Sequence, residues 1–586
     1  MQPVSLRSKC RRKLSGRPFH SNPIVDTVMR RRGVYSASKM EYKLKNLLSF
    51  KSLKGIEEAQ RIIVGAIMQQ KKILVLADYD CDGATACTVM VKGLRMLGAK
   101  NVSYAVPNRF TMGYGTTPAL VDSIASQEPD LIITVDNGIS SFAGIDHIRK
   151  VLPKTQIVVT DHHIASSDGS LPDADAVVNP NQIGCDFPSK NLCGCGVAWY
   201  VCLAVRALMR EMGAFFMLGM KEPNLAILVD IVALGTIADV VPLDYNNRII
   251  VSVGLDLVRS EEGNRGIVAL LRASGKNVQE TLSSDFSFGL GPRINSAGRL
   301  ADMRLGIETL LSDKETLVNG YANELCKTND VRKDIQNDMI AVANVIVKKL
   351  DDSRRSIVLH HESFNEGIVG LVASRLKESY GVPTFIFAKN DNGMLKGSGR
   401  SVPGAHLYNI LHEVQELYTS RNNVFEEKDK LIQGFGGHAM AAGLSILPEN
   451  LEVFYNLLDE IVKEHLEKPL DIIETDGEIN PEDYTLENVE ELRMSSPFGQ
   501  AFPEPILEMK LQILSTRFSK NKRHLFYVLQ HGAKTYEAIA FNYEERKQLY
   551  KLPKEGEESN VRVVFRPDIS MFSGKPELKM IVESAI

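Results

Sequence analysis

The sequence predicts an α/β protein: two α/β lobes in series, then a small β-barrel. Three observations predict it. Short apolar, β-branched runs alternate with helical patterns through the first 163 residues. The alternation resumes at Ser356-Ile357-Val358-Leu359. After about residue 468 helical signals thin and strand-like segments take over. A chain of 586 residues is too long for one core. Its 44% hydrophobic and 24% charged residues are ordinary for a globular protein. A net charge of -3 gives no global basic signature, so a nucleic-acid partner needs locally clustered Lys and Arg or bound cations.

Met1 to Arg17 is basic with no apolar stretch behind it, and reads as a disordered start rather than a secretory signal. An Arg- and Ser-rich transit segment is the alternative. Residues 55–70 carry helical periodicity and lead into a strand at Lys72–Ala77. Gly83 to Leu97 reads as a helix, and Val102 to Val106 as the next strand. Pro223 to Ala238 is helical and strongly apolar. Residues 303–350 read as one or two long polar helices that bridge domains. Gly367 to Ser379 reads as a helix and Thr384 to Ala388 as a strand. Ile506–Leu511, Phe526–Leu529 and Val561–Phe565 read as barrel strands. No apolar run approaches the roughly 18 residues of a membrane span. Eight scattered Cys suggest reduced thiols and a cytoplasmic setting. Cys185, Cys193 and Cys195 lack a paired zinc spacing and read as small packing residues.

Three of the apolar runs end in acid. One enters Asp78-Tyr79-Asp80-Cys81-Asp82-Gly83, one Asp136-Asn137-Gly138, and one Asp161-His162-His163. Ligands of open α/β sheets bind beyond the carboxyl ends of such strands. Carboxylates crowded there raise one another's pKa, and divalent metal is the economical remedy. The pattern predicts two cations and attack of water on a phosphorus or acyl centre. A lone strand-end Asp commonly caps the following helix. Four of them with a His point to metal instead.

These motifs, with Gly235-Thr236-Ile237-Ala238-Asp239, resemble the DHH phosphoesterases. Gly291-Pro292-Arg293-Ile294-Asn295-Ser296-Ala297-Gly298-Arg299, Gly397-Ser398-Gly399-Arg400-Ser401 and Gly436-Gly437-His438 complete a set similar to the RecJ family, bacterial 5′→3′ exonucleases of single-stranded DNA. The resemblance covers roughly residues 30–580. It implies an N-terminal extension (1–40), a DHH catalytic domain (41–305), a linking helix (306–352), a DHH-associated substrate-binding domain (353–467) and an OB-like nucleic-acid-binding barrel (468–586). It also implies Mn²⁺ or Mg²⁺ as two divalent cations, catalysis in a cleft between the lobes, and single-strand-binding protein and a RecQ-type helicase as partners.

Asp80, Asp82, Asp136, His162 and Asp239 are the expected metal ligands, with Asp136 bridging. One imidazole tilts the choice towards Mn²⁺. Asp78 is read either as a ligand or as an acceptor behind the ligands. Some relatives have a His at the position of Leu76, so one metal loses that ligand here. His163 is read as contacting the scissile phosphate or orienting His162, and Asp161 as fixing a His tautomer. Asn137 is read as positioning substrate or making a turn. The resemblance places Arg109, Arg293, Asn295, Arg299, Ser398, Arg400 and His438 around the 5′ phosphate and the next nucleotides; guanidinium forks suit phosphate oxygens. Lys520, Lys522, Arg523 and His524, beside Phe518 and Phe526, suit a single-strand grip. Ala501-Phe502 stands where relatives usually carry Gly-Asn. The rival expectations are a phosphodiesterase of short oligonucleotides or cyclic dinucleotides, a small-phosphate hydrolase such as a pyrophosphatase, and a silent DNA-binding scaffold.

Overall fold

The computed structural model describes residues 7–585 except 13, 15, 167, 352, 423–428, 467–471, 544–546, 551, 553–558 and 571–573. Residues 1–6 of the expected disordered start lie outside the described residues. Residues 7–10 correct that expectation: Arg7–Cys10 is a strand, β1, paired in parallel with Ile472–Thr475. Its order comes from main-chain bonds to a distant segment, reinforced by Arg11 facing Glu474 and Asp476. Local sequence carries no sign of such pairing.

The chain divides into two compact units. One holds 12–329 together with 482–505; the other holds the described part of 1–11, 330–481 and 506–586. The helix Glu315–Val347 runs through the division point.

In the first unit β2 (Ile73–Ala77), β3 (Val102–Ala105), β4 (Leu131–Val135), β5 (Gln156–Thr160) and β6 (Ala176–Val178) form one parallel sheet, ordered β3-β2-β4-β5-β6. Every residue of β2 and β4 is buried, because crossover helices cover both faces. The strand order reverses at β2, so the ligand crevice lies beyond the carboxyl ends there. Ala77, Val135 and Thr160 stand in register, so the loops after β2, β4 and β5 leave the sheet side by side. The helix Val229–Ala238 is buried along its length and delivers Asp239 at its end.

Residues 482–505 were expected to belong with the barrel region, yet they pack in this first unit. The Asn22 side chain, at the start of the helix Pro23–Arg31, donates to Asn488 O and Glu491 Oε2 at 3.0 and 2.8 Å. The Arg248 guanidinium sits 4.4 Å and that of Arg32 4.8 Å from the Phe502 ring centroid. Leu243 N donates to Gln500 O at 2.8 Å.

The second unit contains a five-stranded sheet of β7 (Ile357–His360), β8 (Thr384–Lys389), β9 (Leu395–Arg400), β10 (Ile432–Gly437) and β11 (Ala441–Ile446), ordered β10-β11-β9-β8-β7. Only β7 and β8 run parallel; the other pairs are antiparallel. Phe385, Phe387, Leu395, Ala442, Leu444 and Ile446 bury one face with Phe454, Leu458 and Val462 of the helix Leu451–His465. The Ile472–Thr475 strand (β12) follows. Then β13 (Leu507–Phe518), β14 (Leu525–His531), β15 (Lys534–Ala540), β16 (Ser559–Ser570) and β17 (Glu577–Ala585) close into a barrel. Closure removes exposed edges.

Ala501 has φ +59°, a left-handed conformation that favours glycine. Ala501→Gly is expected to raise stability by up to about 1 kcal/mol, read as a later urea midpoint for the first unit.

Candidate metal centre

Asp78, Asp80 and Asp82 sit in the tight link from β2 into the helix Cys81–Met96. Asp80 caps that helix, accepting from Gly83 N at 3.0 Å. Asn295 Oδ1 accepts from Cys81 N at 2.8 Å, so Asn295 pins the same link. Both oxygens of Asp82 face the N-terminus of the helix Gly194–Glu211, accepting from Gly194 N at 2.6 Å and Cys195 N at 3.0 Å. The positive end of that helix therefore holds one carboxylate of the cluster.

Asp136 follows β4 with φ +60°, a strained choice for a non-glycine residue. It reaches so far towards Gly194 that a Cβ there would lie 2.3 Å from Asp136 Oδ1. A Cβ on Gly235 would similarly lie 2.8 Å from Asp82 Oδ1. These two glycines are the space into which the acids project.

His162 Nε2 stands 3.2 Å from Asp136 Oδ1, 3.5 Å from Asp239 Oδ2 and 4.0 Å from Asp82 Oδ2. Three sets of donor atoms lie within 4.8 Å of one another: Asp78 with Asp80 and Asp136, Asp82 with His162 and Asp239, and Asp136 with His162 and His163. Asp136 belongs to two of them. Asp78 Oδ1, Asp136 Oδ1 and His162 Nε2 are buried without a hydrogen-bond partner. Buried polar atoms are ordinarily paired, so these three fit a site built for a cation.

The charge state agrees. Burial, then neighbouring carboxylates, pushes Asp78, Asp136 and Asp239 well above the usual range. Burial and the charge of Asp80 push Asp82 up to about 6. Burial and the charge of His163 lower His162 to about 4, leaving a neutral imidazole fit to bind metal. Hard carboxylate oxygens with one imidazole suit Mg²⁺ or Mn²⁺.

His163 points elsewhere. Its Nδ1 lies 2.7 Å from Asp161 Oδ1 and its Nε2 3.1 Å from the Tyr114 hydroxyl. Burial alone would lower it, but the hydrogen bond and charge of Asp161 outweigh burial and raise it to about 9. Asp161 also accepts from the amides of His162, His163 and Ile139, at 2.7, 3.1 and 2.9 Å. It thus fixes the whole turn and the His163 ring, rather than the His162 ring.

Asn137 faces inward. Its amide donates to Val135 O and Leu76 O at 2.9 and 3.2 Å and accepts from Thr116 Oγ1 at 2.7 Å. Its side chain ties β2 to β4 below Asp136. Arg293 likewise turns into the protein, bonding Gly289 O and Cys326 Sγ at 2.8 and 3.2 Å. Arg109 stacks 5.1 Å from the Tyr79 ring, and the charges of Arg109 and Arg299 both act on that phenol. Two arginines distant in sequence therefore converge beside the acids. Tyr79 and Tyr114, 5.9 Å apart, were not singled out in the sequence. Their place between acidic motifs offered no signal beyond aromatic character.

Ser398, Arg400 and His438 belong to the second unit. Arg400 donates to Ser398 Oγ and Gly399 O at 2.9 and 2.8 Å, and His438 N donates to Ala441 O at 2.8 Å. In the barrel, Arg517 lies 4.9 Å from the Phe526 ring, and Phe518 remains 39% exposed beside the turn carrying Lys520, Lys522 and Arg523.

Three family models match in order: the DHH family N-terminal domain over 72–236, the DHHA1 domain over 343–464 and the RecJ OB domain over 475–584. The single-stranded-DNA-specific exonuclease RecJ of Escherichia coli is 38% identical, over 100% of this chain and 99% of that relative. The chain belongs to the RecJ family. The RecJ of Haemophilus influenzae is 37% identical, with 97% of each chain covered. A crystal structure of RecJ with Mn²⁺ from Thermus thermophilus superposes with TM-score 0.77 at 25% identity, covering 96% of this chain and 76% of that one. A second RecJ structure, bound to manganese, gives TM-score 0.57 at 29% identity, covering 71% and 96%. Among the described residues no helix is long and apolar enough to cross a membrane.

Gly194→Ala is expected to lower Mn²⁺ affinity by at least about tenfold in calorimetric titration, with unchanged far-ultraviolet dichroism. Unchanged affinity would show that Asp136 need not occupy that space.

Proposed function

We propose that this chain is a metal-dependent 5′→3′ exonuclease that hydrolyses phosphodiester bonds of single-stranded DNA, serving repair and recombination. The observation that carries the proposal is the convergence of Asp78, Asp80, Asp82, Asp136, His162 and Asp239 with unpaired buried atoms, in a chain of the RecJ family.

Asp78, Asp80, Asp82, Asp136, His162 and Asp239 would hold divalent cations, which would supply polarisation of a water and neutralisation of charge on the phosphate. Asp136, which belongs to two donor sets, would be the residue able to serve both cations. His163, held as a cation by Asp161, donates to a phosphate oxygen. Arg109 and Arg299 grip phosphates beside the acids. Ser398, Arg400 and His438 grip phosphates in their own unit, and Arg400 takes the terminal one. Arg293 and Asn295 support this work indirectly, through the bonds described above. Residues 41–305 form the catalytic domain, 306–352 the link, 353–467 the substrate-binding domain and 468–586, apart from the 482–505 segment packed in the first unit, the region of the barrel. The setting is cytoplasmic, with single-strand-binding protein and a RecQ-type helicase as partners.

Incubation with Mn²⁺ and a long 5′-labelled single strand, a dinucleotide, a cyclic dinucleotide or pyrophosphate tests this. The long strand is expected to be the best substrate; preference for another overturns the assignment, and no turnover at all favours a silent scaffold. Chelation by EDTA is expected to abolish activity and Mn²⁺ to restore it. Asp136→Ala is expected to abolish hydrolysis with single-strand binding largely retained. Arg400→Ala is expected to impair 5′-phosphorylated ends most, and equal loss on every substrate would count against a terminal-phosphate role.

A further inference from the structure

The turn that carries His162 and His163 is held by a neighbouring loop that supplies none of the acids. Thr160 of β5 pairs with Val178 of β6, so Asn179 leaves the sheet beside Asp161. Asp161 N donates to Val178 O at 3.1 Å and extends that pairing by one step. Asn179 is fully buried and uses both halves of its amide. Its Nδ2 donates to His163 O at 2.9 Å, and its Oδ1 accepts from Asn181 N at 2.7 Å. Asn181 Nδ2 in turn donates to His162 O. Pro180 between them has one backbone torsion fixed by its ring. Lys190 Nζ donates to Pro180 O and to Cys185 O, each at 2.7 Å. The loop that holds the histidines is therefore itself held.

Asp161 accepts from the N–H groups of His162 and His163, and the two asparagines donate to their carbonyls. Every main-chain polar group of the pair is thus bonded to a side chain. The peptide unit between the two histidines is gripped at both ends, its oxygen by Asn181 and its N–H by Asp161. That unit cannot rotate without breaking both bonds. Its orientation decides where the rings go. Their centroids lie only 4.5 Å apart, yet His162 Nε2 faces Asp136 and Asp239 while His163 bonds Asp161 and Tyr114. A turned peptide would misdirect both rings together.

We propose that Asn179 and Asn181 are positioning residues of the metal centre. Asn181 sets the direction in which His162 presents Nε2 to a cation, and Asn179 sets the place of His163 towards the phosphate. This rests on the function proposed above. Neither asparagine touches the reacting atoms; each acts through the main chain of its histidine. The carbonyls they hold lie 19 and 16 residues earlier in the chain.

Calorimetric Mn²⁺ titration and steady-state hydrolysis of a long 5′-labelled single strand, both with the full chain, test it. Asn181→Ala is expected to raise the Kd for Mn²⁺ about tenfold, the usual cost of losing a group behind a metal ligand. Asn179→Ala is expected to lower kcat about tenfold at saturating Mn²⁺ with KM unchanged. In a His162→Ala background Asn181→Ala is expected to cost no further Mn²⁺ affinity, and in a His163→Ala background Asn179→Ala no further kcat. Lys190→Met, which frees Pro180 and leaves both asparagines in place, is expected to show a smaller rise in the Kd for Mn²⁺; it serves where an asparagine variant does not fold. A merely structural role would lower the urea midpoint and leave Mn²⁺ affinity and kcat of the folded protein at wild-type values, and that result overturns the assignment. Full additivity with the histidine variants also overturns it. Failure of the wild-type chain to cut any single strand would instead overturn the proposed function, with the Mn²⁺ titrations still reading the role of Asn181.

Discussion

Several carboxylates share one buried pocket, and burial and mutual repulsion raise their pKa values despite the helix N-terminus at Asp82 and the His163 charge nearby. His162 among them is held uncharged by burial. The surrounding chain holds several of these acids from behind. Amides at a helix start take Asp82, a helix cap takes Asp80, and the Asn137 amide ties together the two strands below Asp136. The left-handed Asp136 backbone stores strain of the order of 1–3 kcal/mol that this framework sustains. The metal is the counterion for which that framework is arranged.

Anionic and cationic tasks are also separated along the chain. The acids crowd one crevice of the first unit, whereas Arg109 and Arg299 stand at its margin around Tyr79. Arg400 belongs to the second unit. A net charge of -3 averages over these regions and hides both.

Much of the centre was legible because the chemistry is written at strand ends. Apolar runs marked β2, β4 and β5, and the acids after them had to share one edge of a parallel sheet. The role of Asp78 was not legible, since an unpaired Oδ1 is a property of packing. Asn137 and Arg293 looked available for substrate; their partners, Leu76 O and Cys326 Sγ, lie 61 and 33 residues away and leave no local trace. The same holds for β1 and for residues 482–505. Both are ordered by remote contacts, a distant strand for the first and Arg32 and Arg248 around Phe502 for the second. The Ala501-Phe502 departure was visible, and its positive φ shows what it imposes on the loop.

The β1 pairing also has a bearing on biosynthesis. Arg7 emerges from the ribosome 465 residues ahead of its partner Ile472. At about 5–20 residues per second, that strand waits roughly 20–90 s before its main-chain donors and acceptors find the edge that satisfies them. Meanwhile the acid-bearing sheet can form without it. The acids of the crevice are thus all synthesised before β1 has a strand to pair with.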